Sequence, residues 1–362
     1  MSGRASARPA QDMEENVMTE HPTPIPSRAA LHAARPTGRM SGVKKALLIL
    51  LVLLLVLVAG GAAAFFGLRH SINSQIKHVD VSVSKPSTSQ TPQSGPQSSP
   101  SGPGTTFLIL GSDSRQSGGD PTNWQAGAQR SDVLIVAQIE ADGNGINLMS
   151  IPRDSWVDIP GYGTAKINAA FSYGGADLTI ATVENLLGIH IDHFMITDFT
   201  SFSELTDALG GVELDTPEGP RTMTGTEALA FVRERYSLPR GDFDRMQRQQ
   251  AWMRAILKKA FSQSVLTSPA KLSQLVSILT TYSALDQNLN FDSLLAIASG
   301  LTGLRSSGVM FFTIPYLGTA TSQDGQSIVE LDTAALPELA RAWQSGTVGE
   351  YVANHPNLDS LN

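Results

Sequence analysis

An unbroken apolar run at residues 46–68, ALLILLVLLLVLVAGGAAAFFGL, constrains this chain more than any other feature because it contains no charged residue. As a helix it would be about 34 Å long at 1.5 Å per residue, enough to cross a hydrocarbon core of about 30 Å. Its Ala/Gly-rich end mimics a signal-peptide cleavage site, but the apolar part is longer than in a secretory signal and lies farther from the N-terminus. We therefore predict one uncleaved transmembrane helix at residues 46–68.

The charges flanking this run predict its orientation. The basic residues nearest to it are Arg28, Arg35, Arg39, Lys44 and Lys45 on the N-terminal side, and Arg69 and Lys77 on the other. The positive-inside rule then keeps the N-terminus in the cytoplasm and places the rest of the chain outside the cell. Residues 1–45 are polar, contain proline and lack apolar periodicity, which predicts a disordered cytoplasmic tail of a single-pass cell-membrane protein.

After the membrane span the composition divides the chain again. Residues 85–104, KPSTSQTPQSGPQSSPSGPG, cannot bury enough apolar surface to fold. We therefore assign residues 69–104 to an extracellular stalk and linker, and residues 105–362 to one extracellular domain with its own core. The chain has no cysteine, which excludes disulfides and Cys-ligated metals, and its net charge of −7 argues against a nucleic-acid partner.

Within residues 105–362, short apolar runs alternate with helical patterns. The predicted strands are residues 107–110, 133–139, 146–151, 193–199 and 309–314, and the predicted helices are residues 176–187, 202–209, 226–232, 243–261 and 333–343. Such continuous apolar strands are typical of a sheet covered on both faces. The predicted fold is α/β, a three-layer α/β/α sandwich around a mixed central sheet, preceded by one transmembrane helix and a disordered linker.

Charged residues recur at the ends of the predicted strands, where ligand crevices form in open α/β sheets. Three such pairs are Asp113 with Arg115, Arg130 with Asp132, and Arg153 with Asp154. A fourth group comprises Arg233, Arg235, Arg240, Asp242, Asp244, Arg245, Arg248 and Gln249. On a helix, Arg245, Arg248 and Gln249 lie along one face and could address one ligand together.

The residue types in these groups point to phosphate chemistry. A single Arg–Asp pair is usually a solvated ion pair, but several guanidinium forks together match the oxygens of a pyrophosphate. Asp113 and Asp132 could hold a Mg²⁺ that bridges the same phosphates. The chain has no P-loop, no Gly-x-Ser-x-Gly elbow and no ligand-like histidine spacing. A Mg²⁺-dependent phosphate or pyrophosphate site is therefore predicted.

Seven motifs in order carry a family resemblance. They are LGSDSR at 110–115, RSD at 130–132, SIPRD at 150–154, KINAA at 166–170, LGI at 187–189 with IDH at 191–193, DALGGV at 207–212, and RER at 233–235 followed by DRMQRQQ at 244–250. Together they resemble the LytR-CpsA-Psr family over residues 107–261. The segment 116–129 departs from the family pattern by being longer and more polar, which leaves the shape of that loop open.

The resemblance implies a phosphotransferase that moves a glycopolymer from a polyprenyl-pyrophosphate carrier to peptidoglycan and releases polyprenyl phosphate. It implies Mg²⁺ on Asp113 and Asp132, and pyrophosphate on Arg130, Arg153, Lys166, Arg233, Arg235, Arg245, Arg248 and Gln249. Candidates for a direct part in catalysis are Arg115, Asp242 and Asp244, and either aspartate could orient or deprotonate the acceptor hydroxyl. A lipid tunnel could include Leu186, Phe194, Phe199, Phe202 and Leu205, although an ordinary core is the favoured interpretation of these apolar positions.

Two other functions stay open at the level of sequence. A pyrophosphatase would use the same groove and pass the phosphoryl group to water. A non-catalytic wall-associated binder or regulator would use the arginines to sense lipid-linked intermediates, although binding alone would not need a pair of metal-binding aspartates. The sequence does not identify the transferred polymer, which could be wall teichoic acid, capsule, arabinogalactan or another wall glycan.

Overall fold

The computed structural model describes residues 66, 67, 69–81, 104–112, 131–234, 242–260, 262, 265, 268–301, 304, 308–358, 360 and 361. All of them belong to one unit, residues 63–362. The predicted tail 1–45 and most of the predicted span 46–68 and of the linker lie outside the described residues. Among the residues that are described, no helix is both long and apolar enough to cross a bilayer.

The described elements extend the alternation expected from the sequence. The strands are β1 (Lys77–Val79), β2 (Thr105–Ser112), β3 (Val133–Ile139), β4 (Ile146–Ile151), β5 (Trp156–Ile159), β6 (Gly163–Lys166), β7 (His193–Asp198), β8 (Val212–Thr216), β9 (Gly219–Met223), β10 (Ser283–Asp286), β11 (Val309–Thr313), β12 (Tyr316–Thr321), β13 (Ser327–Leu331) and β14 (Ser360–Leu361). The helices are α1 (Ala169–Leu187), α2 (Phe199–Ala208), α3 (Gly225–Arg233), α4 (Asp242–Ala260), α5 (Pro269–Tyr282), α6 (Phe291–Gly300), α7 (Leu336–Ser345) and α8 (Val348–Asn354).

The central sheet of the described part of the chain is mixed and has the order β1-β10-β7-β2-β3-β4-β11-β14. Strand β3 runs antiparallel to both β2 and β4, whereas β2 pairs parallel with β7 and β4 pairs parallel with β11. The C-terminal ends of β2, β4, β7 and β11 therefore lie at the same sheet edge as the start of β3. This register brings together segments that are distant in sequence.

Helices cover both faces of this sheet. Successive side chains of a strand point to opposite faces, so each strand contributes to the core on both sides. Leu108 and Leu134 belong to a core cluster shared with α1, α7 and α8. Ile109 and Ile135 face the other way and pack with residues of α4. The predicted α/β fold with a mixed central sheet is confirmed.

Several element boundaries differ from the predicted ones for local reasons. Helix α1 begins at Ala169 rather than at residue 176, because a kink at Gly174 and Gly175 interrupts its apolar period, with Gly175 at φ 67°. Helix α2 begins at Phe199, which the sequence assigned to the preceding strand, because Asp198 caps it by accepting from Thr200 N at 2.7 Å. The hairpins β5–β6, β8–β9 and β12–β13 were not predicted because their strands are short and partly exposed.

Residues 69–81, assigned to the stalk by composition, pack against the domain. Residues 69–75 are helical, and Asn73 Oδ1 accepts from Phe291 N of α6 at 2.9 Å. Ile76 is buried, and β1 pairs parallel with β10 at one side of the sheet. The Ser/Pro-rich linker is therefore a connection between β1 and β2, rather than the segment that separates the apolar run from the domain.

Candidate functional site

A charged network at the sheet edge joins residues next to β3, β4 and β6. Asp132 precedes β3 and Arg153 follows β4, and Arg153 Nη1 donates to Asp132 Oδ1 at 2.6 Å. Arg153 Nε lies 3.6 Å from Asp154 Oδ2, and Lys166 Nζ lies 3.0 Å from Asp154 Oδ1. Charges alternate along this network, and each side chain keeps roughly a fifth of its surface exposed. A ligand can therefore reach it.

The loop that carries Arg153 is held by backbone hydrogen bonds on both sides. Asn168 N donates to Arg153 O at 3.2 Å, and Val329 N of β13 donates to Asp154 O at 2.9 Å. Asp132 N in turn donates to Gly111 O of β2 at 2.9 Å. Because the main chain is anchored in this way, the two charged side chains are positioned before a ligand arrives.

Helix α4 supplies the other wall of the site. Arg245 and Gln249 lie one turn apart and are only 3% and 8% exposed. They line a small pocket together with Asp132, Ser150 and Arg153. An arginine does not lose its proton in a protein, so the pocket contains a buried positive charge and is suited to an anion.

Arg248 contacts α3 and does not line the pocket with Arg245 and Gln249. Its Nη1 donates to Phe231 O at 3.1 Å, and its guanidinium carbon lies 4.1 Å from the centre of the Phe231 ring. Arg248 therefore joins α3 to α4 and helps to place Arg245 and Gln249, which are the members of the predicted trio that face the site.

The remaining charged candidates are distributed as follows. Arg233 is exposed at the end of α3, Asp244 is half-buried in the first turn of α4, and Asp242 begins that helix. Asp113, Arg115, Arg130 and Arg235 lie outside the described residues. The network and pocket described above therefore unite Asp132, Arg153, Lys166, Arg245 and Gln249 among the predicted site residues.

A second, small and mostly apolar pocket adjoins the charged one. The two share Val133, Gln249 and Met253 as walls, and the second is completed largely by apolar side chains such as Phe199 and Phe202. The two neighbouring pockets therefore differ in character, one cationic and one apolar. Together they suit a ligand with an anionic group attached to a hydrocarbon chain.

The five predicted lipid-contacting residues occupy three places. Phe199 and Phe202 line the apolar pocket. Leu205 is buried in a cluster with α3, α4 and β8. Leu186 and Phe194 belong to the core on the α1 side of the sheet, and Phe194 is fully buried there.

The residues present suit a magnesium ion in the type of ligand they offer. Mg²⁺ binds through one or two carboxylates together with substrate phosphate oxygens and water. Asp132 is a partly exposed carboxylate in the pocket, next to the positive groups that a pyrophosphate would require. Within the described ranges no cluster of three or more His, Cys, Asp or Glu side chains is found, so an all-protein cage does not occur there.

Sequence reasoning missed the apolar residues of α4 that line the pockets. Met246 and Met253 line the charged pocket, and Trp252 with Met253 lines the apolar one. Met246, Gln249 and Met253 follow the i, i+3, i+7 spacing of one helix face. This spacing is the signal in the sequence that could have identified them.

Comparison with known proteins gives a consistent result. The model of the LytR_cpsA_psr family matches residues 69–344, which is most of the chain. The chain is 29% identical over 315 residues to the cell wall biosynthesis protein LcpA of Corynebacterium glutamicum, covering 71% of this chain and 60% of LcpA. It is 39% identical over 151 residues to the polyisoprenyl-teichoic acid–peptidoglycan teichoic acid transferase TagU of Bacillus cereus, covering 38% of this chain and 50% of TagU.

Solved structures resemble the fold as well. The crystal structure of Bacillus subtilis TagV matches with a TM-score of 0.55 and 28% identity, over 67% of this chain and 96% of TagV. The chain spans about half to three-fifths of the length of the two curated relatives above.

Proposed function

Because the chain belongs to the LytR-CpsA-Psr family, we propose that it is a Mg²⁺-dependent phosphotransferase. It moves a glycopolymer from a polyprenyl-pyrophosphate carrier to peptidoglycan and releases polyprenyl phosphate. The observation that supports this most is the position of a cationic pocket next to an apolar one, with Val133, Gln249 and Met253 lining both. A pyrophosphate with a polyprenyl chain has the same division of charge and hydrocarbon.

In this proposal the chain's own residues position the donor. Arg153 and Arg245 bind the pyrophosphate oxygens, since guanidinium groups match phosphate geometry. Gln249 donates from its amide at the border between the two pockets. Asp132 would hold the Mg²⁺, whose charge would neutralise the negative charge that develops on the phosphates.

The reaction balances as a single substitution at phosphorus. A hydroxyl of peptidoglycan forms a bond to the glycan-bearing phosphorus, the bond to the bridging oxygen breaks, and polyprenyl phosphate leaves with the bonding electrons. The hydroxyl proton passes to a carboxylate, for which Asp242 and Asp244 at the start of α4 are the candidates. Buried positive charge at Arg245 lowers the barrier because it is already in place where negative charge accumulates.

The proposal includes a membrane setting. Residues 46–68 span the cell membrane with the N-terminus in the cytoplasm, and the catalytic domain is extracellular. The helix at 69–75 and β1 follow the apolar run directly and pack on the domain. This supports the proposal that few residues separate the membrane span from the domain. A domain close to the bilayer is well placed for a substrate that is anchored in lipid.

The test uses the full chain in lipid nanodiscs with a synthetic glycan-pyrophosphoryl-polyprenol, Mg²⁺ and peptidoglycan fragments. Polyprenyl phosphate release and glycan attachment are followed by mass spectrometry. We expect attachment by the parent chain, its loss on chelation and its loss in Asp132→Ala and Arg245→Ala. Arg221→Ala is the matched control, because Arg221 forms an exposed ion pair with Glu227, away from the pocket.

The other outcomes separate the alternatives. Release of polyprenyl phosphate without attachment to any peptidoglycan fragment would indicate a pyrophosphatase. Binding of the donor that depends on Arg245 but leads to no turnover would indicate a non-catalytic binder or regulator. Either result would overturn the proposed transferase.

A further inference from the structure

Two tyrosines, one at the tip of the β5–β6 hairpin and one in α1, form an exposed stacked pair. The rings of Tyr162 and Tyr173 are 4.8 Å apart between centroids and inclined by 17°. Tyr162 Oη also donates to Tyr173 O at 3.2 Å. Tyr162 is 57% exposed and Tyr173 is 44% exposed, unlike most large apolar side chains of the described residues. An aromatic surface that is fixed and exposed is a feature of ligand-binding sites.

The backbone on both sides is shaped to present this pair. Tyr162 lies between Gly161 and Gly163, which have φ values of 80° and 73° in the left-handed region. Tyr173 lies directly before the kink in α1 at Gly174 and Gly175. Gly161, Gly163 and Gly175 allow the hairpin tip and the start of α1 to meet, since other residues rarely adopt positive φ values.

The hairpin connects this pair to the charged network. Trp156 pairs with Lys166, and Asp158 pairs with Thr164, in the register of β5 and β6. Cross-strand partners lie on the same face, and residues two apart along a strand do too, so these four side chains share one face of the hairpin. Asp158 and Thr164 are exposed, and Trp156 and Lys166 are half-buried. We call the β5–β6 hairpin together with Tyr162 and Tyr173 the hairpin strip.

The strip begins at the charged network and ends at the tyrosines. Lys166 belongs to both the strip and the network, because it is the last residue of β6 and its Nζ contacts Asp154 of the charged network. From Lys166 to Gly163, beside Tyr162, is about 10 Å along a strand. A second route starts at Asn168, whose backbone N donates to Arg153 O. The distance from Asn168 to Tyr173 is about 7.5 Å along a helix. A chain of linked units starting at the phosphate site can therefore reach the pair.

From this arrangement we propose that the hairpin strip is a glycan-binding subsite, in which a pyranose ring stacks on Tyr162 or Tyr173. A pyranose has an apolar face of C–H groups and a rim of hydroxyls. The aromatic rings match the apolar face, and the Asp158 carboxylate and Thr164 hydroxyl can form hydrogen bonds with the hydroxyls of the rim. The choice of a glycan rests on the proposed function, in which both donor and acceptor carry sugars.

The experiment measures binding separately from transfer. The full chain in nanodiscs is titrated calorimetrically, without Mg²⁺, with peptidoglycan glycan strands freed of stem peptides and, in a second arm, with the lipid-free glycan portion of the donor. We expect binding of at least one of them, weakened about five- to tenfold in Tyr162→Ala and in Tyr173→Ala. Tyr162→Phe, which keeps the ring, should retain most of the affinity.

Controls make the result specific. Leu317→Ala removes a side chain that is 70% exposed on the β12–β13 hairpin and should leave binding unchanged. Melting temperatures of the tyrosine variants should match that of the parent. The arm that responds identifies acceptor or donor as the source of the glycan. Affinities equal to the parent in both alanine variants, or no binding in either arm, would overturn the subsite.

The same data distinguish this proposal from the transferase. Tyrosine-dependent binding without any glycan transfer would leave the subsite standing and remove the proposed function. Glycan transfer by the parent with no change of KM in the tyrosine variants would support the proposed function and remove the subsite.

Discussion

Arg153 Nη1 lies 2.6 Å from Asp132 Oδ1, so one ion pair joins the residue before β3 to the loop after β4. Both side chains also line the charged pocket that contains the buried Arg245. The pair therefore connects the residue proposed to hold Mg²⁺ with a residue proposed to bind pyrophosphate.

Replacement of Arg153 by lysine tests this relationship. Lysine retains the charge but lacks the fork, so we expect kcat/KM for transfer to fall by about 10²-fold. The free energy of unfolding should change by less than about 1 kcal/mol, because a partly exposed ion pair contributes little to stability. Steady-state kinetics and urea unfolding measure the two quantities. Unchanged kinetics with lowered stability would mean that the pair is structural.

The apolar pocket predicts a dependence on lipid length. Phe199→Ala and Phe202→Ala remove walls of this pocket, so KM should rise several-fold for a long polyprenyl donor and much less for a short-chain analogue. Leu205→Ala is the matched control, since Leu205 is buried in the neighbouring cluster and does not line the pocket. Equal effects on long and short donors in the phenylalanine variants would contradict a lipid site.

Asp286 predicts an acid-sensitive contribution to stability. Burial acts to raise its pKa, but hydrogen bonds from His193 Nδ1 and the N–H groups of Phe194 and Asn288 outweigh burial and hold the pKa below its ordinary value. A lowered pKa in the folded state stabilises the fold at pH values above the unfolded pKa of about 3.9. This contribution is lost as the pH falls through the folded-state pKa.

Asp286→Asn should therefore lower the free energy of unfolding by about 1–3 kcal/mol at neutral pH. The difference between parent and variant should shrink as the pH falls below about 4. Chemical unfolding at pH 7 and at several acidic pH values measures it. A difference that stays constant with pH would show that the charge of Asp286 is not its source.

Residues 69–81 give a prediction about stability outside the site. Ile76 is 8% exposed where this segment packs on the domain, so Ile76→Ala should lower the free energy of unfolding by about 2–4 kcal/mol. His70→Ala, at an exposed position of the preceding helix, is the control and should have little effect. If residues 69–81 were only a tether, both variants would unfold like the parent.

Local patterns were sufficient for the strands that build the centre of the sheet. Residues 133–139 and 146–151 were predicted with the bounds that the structure has for β3 and β4, because a mostly apolar run that ends at charged residues, or at Gly and Pro, has few alternatives. The family was also identified from seven short motifs, and this prediction is confirmed. Strand β1 was missed because three residues, KHV, carry no periodicity, and only pairing with β10 makes them a strand.

The sequence by itself determined the chemistry available to this protein: arginines and aspartates at strand ends, no cysteine, and an apolar run ahead of the domain. These follow from residue types and nearest neighbours along the chain. The tertiary structure decided which of these groups meet. It placed Arg153 on Asp132 and Arg245 in the pocket, and it turned Arg248 onto Phe231. The reason is that strand order and helix rotation depend on how the core packs, and core packing depends on contacts between residues far apart in sequence.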